Sequence, residues 1–96
     1  MSALRLRDKV IVVTGSTTGI GKAIAKRCLE EGASVIIHGI ELDLAEKVST
    51  DLDPERERTE SIAADLADPD APRLIREICL GRFGKIDGLV NNAACV

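Results

Sequence analysis

The stretch Val10-Ile11-Val12-Val13-Thr14-Gly15-Ser16-Thr17-Thr18-Gly19-Ile20-Gly21 constrains the fold more than any other part of the chain. A continuous β-branched run suits a strand covered on both faces, as in a parallel sheet. It leads into three glycines within the seven residues from Gly15 to Gly21. From Ile20 the apolar spacing changes to threes and fours, with Ile20, Ala23, Ile24 and Cys28 on one side and Lys22, Lys26, Arg27 and Glu30 on the other. A strand, a glycine turn and an amphipathic helix in that order aim backbone N–H groups and a helix N-terminus at one place, where an anion is the natural occupant. Gly15 allows the sharp turn, Gly19 clears a side chain from the anion's approach, and Gly21 lets the helix pack closely on the strand. A tight turn with no ligand is the plainer reading of the same residues. A P-loop would need a Gly-Lys-Ser/Thr ending, and Gly21-Lys22-Ala23 lacks the hydroxyl.

The rest of the chain keeps alternating. Gly32 stands where a left-handed helix cap favours glycine, and Val35-Ile36-Ile37 reads as a second strand. Asp43 to Leu52 carries Leu44, Ala45, Val48 and Leu52 at helical spacing, with Pro54 as a stop. Thr59 to Ala64 is a weaker strand, supported by Ile62 and by its position between helical segments. Asp68-Pro69 marks the start of a third helix with Leu74, Ile75, Ile78, Cys79 and Phe83 on one face and Gly84 at its end. Leu89-Val90 belongs to a fourth strand closing at Asn91-Asn92. The order βαβαβαβ implies right-handed crossovers and a parallel sheet. Such a sheet leaves its last strand with an uncovered apolar edge.

Length and charge narrow the function classes. At 96 residues the chain is one domain, residues 1–96, able to bury about 64% of its unfolded surface by the usual mass scalings. Its 13 basic and 16 acidic residues are interspersed, leaving no basic stripe for nucleic acid. No apolar run approaches the roughly 20 residues of a membrane span. The charged opening Met1-Ser2-Ala3-Leu4-Arg5-Leu6-Arg7-Asp8 is no signal peptide, and the odd set Cys28, Cys79 and Cys95 suits reduced, packing thiols, so a cytoplasmic location is expected. His38 reads as a satisfied strand residue, with nothing nearby to complete a metal site.

Thr14-Gly-x-x-x-Gly19-Ile-Gly21, Asp65-Leu66 after the third strand and Asn91-Asn92-Ala93-Ala94 after the fourth together resemble the N-terminal, cofactor-binding half of a short-chain dehydrogenase/reductase. Extended epimerase-type relatives fit less well, their glycine spacing usually being GxxGxxG. The resemblance covers essentially the whole chain and implies an NAD(P)-binding domain built as a partial, Rossmann-like doubly wound parallel sheet of four strands in the order 3-2-1-4. By that resemblance Gly15, Ser16, Thr17, Thr18, Gly19, Ile20 and Gly21 would wrap the adenosine ribose and pyrophosphate. Asp65 would accept from the adenine amino group while the Leu66 N–H meets the ring. Asn92 and Ala93 would lie along the ribose near the nicotinamide, and Asn91 would tie the fourth strand to its neighbours. A helix N-terminal carboxylate remains the competing reading of Asp65, and a bare Asn-Asn turn that of Asn91-Asn92.

The choice between NAD and NADP falls at the end of the second strand, where an acid pairs with ribose hydroxyls or an arginine with the 2′-phosphate. Gly39 stands where NAD-binding members usually have Asp, and Ile40 where many NADP-binding members have Arg. The missing acid leans slightly to NADP, while Thr17 and Thr18 offer no supporting cation and Glu41 opposes it.

Family members transfer a hydride between the nicotinamide and a carbinol or carbonyl carbon, using a Tyr-x-x-x-Lys pair and a Ser to handle the proton. This chain has no tyrosine at all, and Phe83 is its one aromatic residue. Two expectations follow. The sequence is the truncated nucleotide-binding part of an NAD(P)-dependent oxidoreductase, inactive alone, whose homo-oligomeric parent holds the catalytic residues and the substrate loop. Alternatively it is a non-catalytic module that binds nucleotide or pairs with a full-length relative along the edge of the fourth strand.

Overall fold

The computed structural model describes residues 4–93. Its elements are β1 (Val10–Val13), α1 (Gly19–Glu30), β2 (Ser34–Gly39), α2 (Leu42–Leu52), β3 (Thr59–Ala63), α3 (Ala71–Phe83) and β4 (Gly88–Val90). All pairings are parallel and the sheet order is β3-β2-β1-β4, as expected. The run that dominates the sequence is therefore a central strand. Its alternate side chains explain why it has no polar face: Ile11 and Val13 pack with Val35 and Ile37 under α1 and α2, whereas Val10 and Val12 pack with Ile36 and Ile62 under α3.

Two elements differ from expectation in a way that bears on the site. The inward face of α1 is Gly21, Ala25, Cys28 and Leu29, while Ala23 is exposed and Ile20 is 74% exposed. The apolar stripe is rotated because the residue without a side chain, Gly21, must face the turn it packs on. α3 begins at Ala71 rather than at Asp68-Pro69. Asp68 instead closes a turn, its carboxylate accepting from the Asp70 N–H at 2.9 Å and its carbonyl from the Ala71 N–H at 3.0 Å, and Pro72 falls in the first helical turn, where no amide donor is needed. The helix then ends as expected, on Gly84 at φ +81°.

Cys28 and Cys79 are free and buried, and burial pushes both thiols up from their ordinary range, which suits packing rather than nucleophilic roles. Cys95 lies outside the described residues. No helix among the described residues is long and apolar enough to cross a membrane.

Asp87, just before β4, joins that strand's approach to β1: its carboxylate accepts from the Val10 N–H at 2.8 Å while its own N–H donates to the Val10 carbonyl at 2.8 Å. That backbone donor, followed by Lys85, holds the carboxyl below its ordinary value. A lowered folded value gives stability that is present above about pH 4 and lost as the pH falls through the folded value. Asp87→Asn is expected to unfold at lower urea than the parent chain at pH 7, and the gap should close towards pH 3. A gap independent of pH would remove the carboxylate's charge from the explanation.

Candidate functional site

The carboxyl ends of β1, β2 and β3 and the segment after β4 converge on one cleft of about 650 Å³, within the size range of small-molecule sites. Of the residues expected there, Gly15, Thr17, Thr18, Gly39, Ile40, Asp65, Leu66 and Ala93 line it, together with His38 and Glu41. This is the switch point of an open parallel sheet, outside the strands' carboxyl ends and between strands that lead in opposite directions.

The turn after β1 is held from three sides. Thr14 is the first support. Its hydroxyl oxygen accepts from the N–H groups of Asn92 at 3.1 Å and Ala93 at 3.2 Å and lies 3.3 Å from both the Val90 carbonyl and the Asn91 Oδ1, which share its single proton. The hydroxyl thus binds the segment after β4 to the end of β1. Asn91 ties its strand to the neighbour, as expected. The side-chain amide of Asn92 donates to the Gly15 carbonyl at 3.1 Å.

The second support is Ser16, which is buried rather than on the cleft. Its Oγ donates to the Val13 carbonyl at 2.7 Å and accepts from the His38 N–H at 2.8 Å, and its own N–H donates to the His38 carbonyl at 2.8 Å. The third is His38, also buried, whose Nδ1 accepts from the Gly15 N–H at 3.0 Å and whose Nε2 lies 2.8 Å from the Ala64 carbonyl.

Beyond these supports the helix N-terminus is open. Thr18 occupies the N-cap position but makes no side-chain cap bond, and the first turn of α1 carries no acid. Thr18, Gly19, Ile20 and Gly21 therefore present N–H groups with no intrahelical acceptor, at the positive end of the helix dipole. Gly19 adopts φ +55°, and a Cβ there would meet nothing within 4 Å, so the space above the turn is free. A Cβ on Gly21 would run into the Gly15 carbonyl and the Asn92 amide, so the close approach of α1 depends on that glycine.

At the other end of the cleft a Cβ on Gly39 would lie 2.6 Å from the Thr17 Cγ2. The Thr17 methyl fills the space where an acidic side chain at position 39 would begin. Glu41, at the N-cap position of α2, and Asp65 are the ionisable lining groups besides His38, and no Lys or Arg is among the lining residues. Asp65 lies well before α3 and is not a helix N-terminal carboxylate. Its Oδ1 accepts from the Ala67 N–H at 2.9 Å, which turns the chain and leaves the residue at the cleft wall.

A glycine turn on a helix N-terminus at the switch point of a 3-2-1-4 parallel sheet defines a dinucleotide-binding α/β protein. The family model described as short chain dehydrogenase matches residues 9–96, and the chain belongs to that family. It is 44% identical over 89 residues to a short chain dehydrogenase of Emericella variicolor, covering 92% of this chain and 33% of the relative. It is 40% identical over 92 residues to a sorbitol dehydrogenase of Cereibacter sphaeroides, covering 95% and 34%. Among solved structures, a hydroxysteroid dehydrogenase from Escherichia coli superposes with TM-score 0.87 at 31% identity, over 96% of this chain and 39% of that one. The chain spans about a third of the length of the curated relatives it matches.

The support missed in the sequence is Thr14. A hydroxyl closing a Val/Ile strand immediately before a glycine turn was its available signal. Thr14→Val keeps the shape and strands two amides around a buried position, so a loss of about 1–3 kcal/mol is expected in urea unfolding, with Thr14→Ser recovering most of it. Equal losses in both variants would make the threonine methyl, not the hydroxyl, the element that matters.

Proposed function

We propose that this chain is the dinucleotide-binding part of an NAD(P)-dependent short-chain oxidoreductase acting on alcohols and carbonyls. The observation that carries the reading is the uncapped N-terminus of α1, whose first-turn N–H groups have no intrahelical acceptor, with free space above Gly19 and a cleft of about 650 Å³ beside Thr18. The residues fit the group. Thr18, Gly19, Ile20 and Gly21 would hold the pyrophosphate through backbone N–H groups, with Gly15 and Thr17 beneath it. Asp65 and Leu66 would meet the adenine, Gly39, Ile40 and Glu41 the adenosine ribose, and Ala93 the ribose nearer the nicotinamide. Ser16 and Asn92 would serve by fixing the turn. The bound cofactor supplies the hydride chemistry. This chain contributes binding and orientation, because it contains no tyrosine to act as the family's general acid. A cytoplasmic location accords with its free thiols.

Gly39 spares a 2′-phosphate the repulsion of an acid, which favours NADP, whereas Glu41 and the absence of lining cations favour NAD. Titration of the 96-residue chain with NADH and NADPH, followed by cofactor fluorescence, is expected to show saturable binding of both with affinities within about tenfold of each other, and no turnover of alcohols or ketones. A folded chain that binds neither would refute the reading.

One observation favours a second reading, a non-catalytic module that pairs with a longer relative. Edge strand β4 leaves Leu89 64% exposed beside an apolar groove of about 590 Å³ lined by Val12, Leu66, Ile75 and Ile86. Sedimentation with and without a full-length short-chain dehydrogenase separates the two, since a mixed species supports pairing and unchanged profiles exclude it.

A further inference from the structure

His38, the third support of the turn, has no part in the proposed ligand contacts, yet it bonds to Gly15, Ser16 and Ala64 together. Its side chain takes the Gly15 N–H, its backbone exchanges bonds with Ser16 in both directions, and its Nε2 reaches the Ala64 carbonyl one residue before Asp65. The side-chain contacts assign the tautomer. Nδ1 receives an N–H and must carry no proton, and Nε2 faces a carbonyl and must carry one. The opposite tautomer would satisfy neither contact. Burial of the ring leaves water no easy way to substitute for a lost partner.

The distribution of donors around the turn follows from this. Gly15 and Ser16, the first two residues after Thr14, both give their N–H groups to residue 38, one to its ring and one to its carbonyl. The donors left for an anion start at Thr17 and run through the first turn of α1 to Gly21. The imidazole takes Gly15 out of that set, the backbone carbonyl of residue 38 takes Ser16, and the same ring spans from the turn to the Ala64 carbonyl beside Asp65.

We propose that His38, as the neutral Nε2–H tautomer, is the positioning residue of the dinucleotide cleft. It orients the turn through Gly15 and the adenine wall through Ala64. The first contact is the one that governs nucleotide affinity. The inference rests on the nucleotide reading above for its ligand, but its effect on the turn is measurable without one.

The two contacts separate by substitution. Asn places an acceptor where Nδ1 stands and cannot reach Ala64, whereas Gln places its amide at the Nε2 position and leaves Gly15 without an acceptor. In the 96-residue chain labelled with ¹⁵N, a scalar coupling across the Gly15 N–H···Nδ1 bond of His38 is expected. His38→Asn should keep the Gly15 to Gly21 amide shifts near those of the parent chain and bind NADH and NADPH within about threefold of it. His38→Gln should displace those shifts and weaken binding about tenfold, the scale of one hydrogen bond. Absence of the coupling in the parent chain would overturn the proposal whether or not the variants fold, as would Gln and Asn variants with equal shifts and equal affinities. If the coupling and the Asn/Gln difference in shifts appear while the parent chain binds neither nucleotide, His38's hold on the turn stands and the nucleotide reading fails.

Discussion

The contact on which the rest of the structure depends is the seating of α1 on the Gly15 carbonyl. Gly21 has no side chain, so the helix axis comes close enough for its N-terminus to overhang the end of β1. That approach rotates α1 until Ala25, Cys28 and Leu29 face the sheet. It also sends the unshared N–H groups of the first turn over the sheet's carboxyl edge instead of out to the side. A methyl at this position would collide with backbone, and a backbone oxygen cannot swing aside as a side-chain end can. The core under α1 and the orientation of the anion-binding donors are therefore consequences of one steric fact.

Around that contact the turn is surrounded by groups that hold it and leave its outer surface free. Thr14, Ser16, His38 and Asn92 direct their polar atoms at backbone, and each satisfies a group that a buried turn would otherwise leave unpaired. The side chains left facing the cleft are mostly small or apolar, with Glu41 and Asp65 as its carboxylates. Affinity for a negatively charged ligand must then come from backbone dipoles, because the lining side chains supply no positive charge. The same lining bears on the proposed choice between NAD and NADP. The Thr17 methyl and Gly39 exclude one another's larger alternatives, so the position that usually carries the deciding acid has no room for it unless Thr17 moves.

Much of this was legible in sequence. The β-branched run, the glycine spacing and the change of period to threes and fours located β1, the turn and α1, the alternation located the remaining strands, and the family resemblance supplied their order. The rotation of α1 was less accessible, because Ile20 and Ala23 fit the helical period as well as Ala25 and Leu29 do, and only the collision at Gly21 chooses between the two faces. The start of α3 was misplaced because Asp68-Pro69 and Ala71-Pro72 carry the same helix-start signal, and the Asp68 carboxylate spends it on a turn. Residues that support the site through hydrogen bonds, Thr14 and His38 above all, leave no periodic trace. Their partners lie 76 to 79 residues away in one case and 23 and 26 in the other.

The two walls of the cleft are unequally secured. The wall formed by β2 and β3 belongs to strands paired with each other over five positions, with β2 also paired to β1 over four, and it is joined to the turn by the His38 ring. The wall formed by Asn91 to Ala93 follows β4, which pairs with β1 over three positions, has no neighbour on its other side among the described strands and carries an exposed leucine beside an open apolar groove. What fastens this wall is the Thr14 hydroxyl, the Asn92 amide on Gly15 and, at the strand's other end, the Asp87 carboxylate on Val10. Anything that covers the groove stabilises β4, and through Thr14 it also steadies the end of the glycine turn. The segment after β4 and the glycine turn thus share two side-chain fastenings, the Thr14 hydroxyl and the Asn92 amide on the Gly15 carbonyl, so the order of that edge and the order of the turn depend on the same hydrogen bonds.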